Sequence, residues 1–225
     1  MNYSFISRAY TMSKDQKTYP PFEEKLNVIS HAFGLGLSIL GLVLLVWRAS
    51  KLGETVHLVS FSIFGASMIL LYAASTFYHN AKKPGWRYKL NILDHASIYI
   101  LIAGTYTPFS LVTLQGTTGW IIFGTIWGMA LAGAILKLFF IGKYRTLSTI
   151  MYVVMGWIIV FAVKPLVDNL SVEGLLWLAA GGIAYTIGAL FFSMDRIKFN
   201  HAIFHVFVLL GTFCHFISIY LYVLT

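Results

Sequence analysis

Charge is scarce in this chain: 11% of its 225 residues are Asp, Glu, Lys or Arg, against 58% hydrophobic residues. A soluble domain carries about 25% charged residues because its surface must face water. An ordinary soluble fold is therefore excluded. Cysteine is almost missing, and the single Cys214 has no partner, which rules out an intrachain disulfide framework and leaves the redox compartment open. Acidic residues are half as common as basic ones, 8 against 16, for a formal charge of +8. The basic residues are scattered through short stretches between long apolar runs, a pattern of membrane topology that excludes nucleic acid as a partner. A cleavable leader is not expected either. Residues 1–27 are polar, carry Lys14, Lys17 and Lys25, and reach Pro20 and Pro21 without an apolar core.

What the chain does have is length in its apolar runs, reflected in a mean hydropathy of +0.77. A helix needs about 20 predominantly apolar residues to cross a hydrocarbon core of about 30 Å. Seven stretches meet that demand: Val28 to Trp47, Val56 to His79, Asn91 to Thr113, Trp120 to Phe140, Leu147 to Val167, Val172 to Ser193 and His201 to Leu224. The connections are short and rich in Gly, Pro or charge, as in Lys82-Lys83-Pro84-Gly85, and leave no room for a soluble domain. The expected architecture is an all-α membrane protein, a seven-transmembrane helix bundle spanning 28–225 behind a polar segment at 1–27. Gly124, Gly128 and Ala132 share one face of the fourth span and predict close helix packing within the bundle. Trp47, Trp86 and Trp120, near span ends, read as interfacial anchors.

Orientation follows from the Lys and Arg count on the two sides of an odd-numbered bundle. The N-terminal segment and the second, fourth and sixth connections hold 13 of the 16; the other side holds Arg48, Lys51 and Lys164. The positive-inside rule then places the N-terminus in the cytoplasm and the C-terminus outside.

In a chain this apolar, ionisable residues inside or at the mouth of a span carry the functional information, because burying them is costly. Ser75 and His79 end the second span, Asp94 and His95 open the third, and His201 and His205 open the seventh. Alternation of span direction puts all of these at one membrane depth. His201 and His205 are four apart, so both rings leave one helix face and can chelate one ion. A histidine pair at a helix start is equally compatible with interfacial polarity; His79 at the same depth supplies the third nitrogen that a metal site requires. Three histidines with one open position suit zinc, and imidazole also suits iron, copper or nickel. Asp94 reads as a fourth ligand or, preferably, as the acceptor that helps deprotonate a metal-bound water. Ser75, one turn before His79, is a candidate hydrogen-bond partner for that water or for Asp94. His95 points about 100° away from Asp94. Glu23, Glu24, Asn27 and His31 open the first span on the same side and either cap the site or sit among lipid headgroups, the headgroup reading being preferred for the glutamates. His215 lies about 15 Å deeper than His205, too far to join.

The stretches EKLNVISHAFG (Glu24 to Gly34), STFYH (Ser75 to His79), LDHASIYILIAGTYTP (Leu93 to Pro108) and HAIFH (His201 to His205) resemble the bacterial hemolysin III proteins. Those belong to the progestin and adipoQ receptor family, together with the adiponectin receptors and, more distantly, the alkaline ceramidases. The resemblance runs from about residue 23 to the end. It implies a multi-pass protein of the bacterial plasma membrane with an intramembrane zinc site on the cytoplasmic side, in which His79, His201 and His205 match the ligands, Ser75 the serine and Asp94 the aspartate. The long N-terminal extension of the eukaryotic receptors is missing here.

Three functions are consistent with these residues. The first is a ceramidase-like, zinc-dependent hydrolase of lipid amide or ester bonds with a role in membrane-lipid homeostasis. The second is a non-enzymatic receptor or sensor with structural zinc, and the third a channel-forming cytolysin. Membrane lipids are the expected partner and possible substrate.

Overall fold

The computed structural model describes residues 19–224. Arg8, Lys14 and Lys17, used above for orientation, lie outside the described residues. Seven helices among the described residues are long and apolar enough to cross a membrane. We number them α1 (Pro21–Leu52), α2 (Thr55–Asn80), α3 (Pro84–Leu114), α4 (Gly116–Phe140), α5 (Arg145–Asn169), α6 (Val172–Ser193) and α7 (Asn200–Val223). No strand occurs among the described residues. The seven expected spans are all present, so the chain is a seven-helix membrane bundle.

The main difference from the sequence reading is at the start of α1. Helix begins at Pro21, seven residues before the expected Val28, with the proline in the first turn, where its missing N–H is no loss. Residues Asn27, His31, Gly34, Ser38, Gly41, Leu45 and Ala49 repeat every three or four positions and form one buried face. Gly34 is required there: a Cβ at this position would stand 2.6 Å from the Tyr72 ring. The outward face is apolar, with Phe33, Leu40, Val43 and Trp47 all more than half exposed, as lipid contact demands.

Helix α3 is the central element. Its most apolar window is 78% buried, against 17% for α5 at the periphery. It packs on α2 and α4, while α1 packs on α2 and α7, and α6 on α7. Pro108 lies inside α3, and the helix beyond it widens into a π segment, Phe109–Leu114. Helix α5 is broken between Trp157 and Val163 by a 3₁₀ turn. The broken backbone does not go unpaired in the apolar interior. The Tyr106 hydroxyl donates to Gly156 O at 2.9 Å and accepts from Ile159 N at 2.9 Å. A side chain from the central helix thus restores what the break removes.

One packing expectation fails. Gly124 and Gly128 face open space and Ala132 is exposed, whereas α4 packs through Gly119, Ile122, Ile126, Ala130 and Gly133. The spacing identified residues sharing a face, but the bulkier face next to it meets the bundle. Trp47, Trp86 and Trp120 are exposed at the span ends, as expected of anchors.

Candidate metal centre

The starts of α1, α3 and α7 and the end of α2 meet at one end of the bundle, which also carries Lys82, Lys83, Arg87, Lys89, Lys143 and Arg145 and is called the basic end below. His79 comes from the last turn of α2, and His201 and His205 from the first two turns of α7. The His79 ring lies 5.0 Å from each of the other two, and those are 4.5 Å apart. One nitrogen from each converges to within 4.8 Å of the others, and all three residues are buried. Residues separated by more than 120 positions share one point because the helix ends coincide.

The donor set fits a metal ion. His79 Nε2 and His201 Nε2 face each other at 3.1 Å. Two nitrogens bound to one tetrahedral zinc at about 2.0–2.1 Å stand roughly 3.3 Å apart, so the observed spacing is close to that of adjacent ligands. The protonation pattern agrees. His79 Nδ1 donates to Glu24 Oε2 at 2.6 Å, which leaves Nε2 with its lone pair directed at the cluster. His201 Nδ1 is buried and has no hydrogen-bond partner among the described residues. Three buried imidazoles placed this closely can hold a metal ion.

The surroundings of the cluster come largely from α1. Glu24 bonds His79 and also pairs with Arg87 of α3. Arg87 in turn donates to Tyr78 O and Ala81 O at 3.4 Å, closing the end of α2, and lies over the Tyr78 ring. A carboxylate that holds the far nitrogen of a ligating histidine fixes its tautomer and orientation and raises its basicity. Asn27 Nδ2 lies 3.4 Å from His79 Nδ1, and Ser30 Oγ 3.4 Å from His205 Nδ1. His31 stacks flat on His205, centroids 3.5 Å apart at 9°, and edge-on to Tyr72. Tyr19 stacks on His201 at 4.5 Å. Burial drives its phenol well above the ordinary range, so it covers the cluster as a neutral ring.

The glutamates therefore do not sit among headgroups. Glu23 is 5% exposed, and Glu24 is hydrogen-bonded to His79. Their sequence signal was the spacing of Glu24, Asn27 and His31, which places three polar residues on one helical face.

Asp94 and Ser75 are outside the group of converging ligand atoms. Asp94 is buried, with its carboxylate 3.6 Å from His95 Nδ1. His95 Nδ1 donates to Asn91 O. Ser75 is 1% exposed and its hydroxyl has no partner among the described residues. Asp94 also lines a cavity of ≈ 120 Å³ whose walls include His31, His201 and His205. That cavity runs inward past Leu101, Tyr106 and Val208 to His215, which donates to Leu178 O at 3.1 Å and takes no part in the metal cluster.

Seven apolar helices enclosing a buried three-histidine cluster define a polytopic membrane protein with a candidate metal centre. The chain matches the family described as Haemolysin-III related over residues 20–216, and it belongs to that family. It is 46% identical over 202 residues to "Hemolysin-3" of Bacillus cereus, covering 90% of this chain and 92% of that protein. It is 45% identical over 200 residues to "Hemolysin-3 homolog" of Bacillus subtilis (strain 168), covering 89% and 94%. "Monocyte to macrophage differentiation factor" of Homo sapiens is 30% identical over 207 residues, covering 89% and 84%. With bacterial relatives of this length and seven apolar helices, it is a multi-pass bacterial membrane protein.

Proposed function

We propose that the protein is a zinc-dependent hydrolase of lipid amide or ester bonds, with its basic end in the cytoplasm and His79, His201 and His205 as the ligands. The observation that carries this reading is the cavity beside the cluster. A single water fills about 10–15 Å³ on the same measure, so ≈ 120 Å³ leaves room for a reacting group and its chain besides the attacking water. Most of its lining is apolar, and two of the three histidines form its wall. An open ligand position facing an apolar cavity is the arrangement a catalytic site needs and a purely structural one does not.

Zinc, when bound, supplies Lewis acidity toward water and a carbonyl group. The chain's own residues do the rest. Asp94 takes the proton from the attacking water and returns it to the leaving amine or alcohol, as a general base and then acid. Ser75, whose hydroxyl has no partner among the described residues, donates to Asp94 or to the carbonyl oxygen. Glu24 holds His79 in the correct tautomer. The apolar walls seat an acyl chain and exclude bulk water. Turnover of a panel of ceramides and acyl lipids by zinc-loaded protein tests this reading; bound zinc with no turnover on any of them contradicts it.

The names of the Bacillus relatives favour a second reading, a channel-forming cytolysin. Conductance of the purified protein in planar bilayers tests it, and an electrically silent bilayer removes it.

A further inference from the structure

A second chamber of ≈ 250 Å³ opens at the basic end, between α3, α4 and α5. Lys137, Lys143 and Arg145 line it, together with Asn91 and several tyrosines, and among the described residues no carboxylate does. His95, Thr149, Tyr152, Phe192 and His201 line both this chamber and the apolar cavity, so the two share a wall at the edge of the histidine cluster.

Lys137 is the unusual member. A lysine in the last turn of a membrane helix normally extends its stem so that the ammonium reaches water. Here the residue is only 4% exposed. Among the described residues its ammonium has one hydrogen-bond partner, Ser148 Oγ at 2.6 Å, and no carboxylate within salt-bridge distance. Ser148 is itself committed, donating to Tyr144 O at 3.1 Å. An ammonium carries three donors. A buried cation with one neutral partner is costly unless an anion completes it. Arg145 is partly neutralised by the exposed Asp195 at 2.8 Å, but Lys143 and Lys137 have no ion-pair partner among the described residues.

We propose that this chamber binds the anionic head of an amphiphile, a phosphate or carboxylate, whose chain occupies the adjoining apolar cavity. Lys137 is the principal contact, with Lys143 and Arg145 at the mouth. The shared wall then holds the junction of head and chain against His201 and His95. The proposal rests on the hydrolase reading only for the orientation of the ligand; binding itself needs no turnover.

The test uses the full chain in a neutral detergent, with thermal stabilisation and native mass spectrometry as readouts. The probes are lysophosphatidate, lysophosphatidylcholine of the same chain length and inorganic phosphate. Lysophosphatidate is expected to bind at least tenfold more tightly than either of the other two. Lys137→Met is expected to abolish that preference while raising the melting temperature of the ligand-free protein, because an unpaired buried charge is gone. Lys143→Gln, at an exposed position, lowers lysophosphatidate affinity severalfold and decides the matter even where Lys137→Met does not fold. His79→Ala, which removes a metal ligand that lines neither the chamber nor the apolar cavity, keeps the preference; its persistence in a protein without turnover separates the two proposals. Equal binding of the two lysolipids, or indifference to the lysine substitutions, overturns the chamber. Inorganic phosphate binding as tightly as lysophosphatidate overturns the amphiphile and makes the ligand a soluble anion.

Discussion

Glu24 accepts a hydrogen bond from His79 Nδ1 at 2.6 Å, while Nε2 of the same ring faces His201 at 3.1 Å. The carboxylate therefore decides which nitrogen is offered to an ion. Glu24→Gln keeps the shape and removes the charge. Loss of such a partner typically weakens metal binding by about 10–100-fold. Competition for zinc against a calibrated chelator measures it, and an unchanged affinity would show that Glu24 plays no part in the site.

Arg87 balances Glu24 in a largely buried pair, with the two side chains 13% and 18% exposed. Removing one partner of a buried pair strands the other, at a cost of about 3–5 kcal/mol. Arg87→Met should destabilise the fold by that order, and adding Glu24→Gln should restore most of the loss. Unfolding in mixed detergent reads both; a double variant less stable than Arg87→Met alone contradicts the pairing.

Tyr106 repairs the break in α5 through two hydrogen bonds, to Gly156 O and from Ile159 N. Tyr106→Phe leaves both backbone groups unpaired in an apolar interior, which costs about 1–3 kcal/mol per group. The expected outcome is a clear fall in stability with metal content unchanged. A variant as stable as the parent would mean that the α5 break is satisfied in another way.

Asp94 lies on the cavity wall but not among the converging ligand atoms. Asp94→Asn should therefore retain zinc while turnover falls by about 10²–10⁴-fold, the usual contribution of a general acid–base. Loss of the metal along with activity would make Asp94 a ligand instead.

The spans and the common depth of His79, Asp94, His201 and His205 were legible because length and polarity are properties of local sequence, and span alternation converts them into position. The role of α1 was legible only as one of two alternatives. Glu23 and Glu24 look like headgroup residues when the helix is assumed to begin at Val28; helix from Pro21 turns Glu24, Asn27 and His31 inward and decides for the site. Gly124 and Gly128 failed for a different reason: spacing says which residues share a face, not which neighbour the face meets. Gly156 and Pro165 flank the α5 break and mark it in the sequence, since Pro165 has no N–H to offer Phe161 O; what stayed hidden is its partner Tyr106, 50 residues before Gly156.

The central claim is that His79, His201 and His205 hold one metal ion. Metal content of the purified protein by mass spectrometry, beside a His79→Ala variant, tests it most directly. Close to one zinc per chain is expected in the parent and a small fraction of that in the variant. Parent protein without stoichiometric metal, or a variant that retains it in full, would show that the three histidines do not hold an ion.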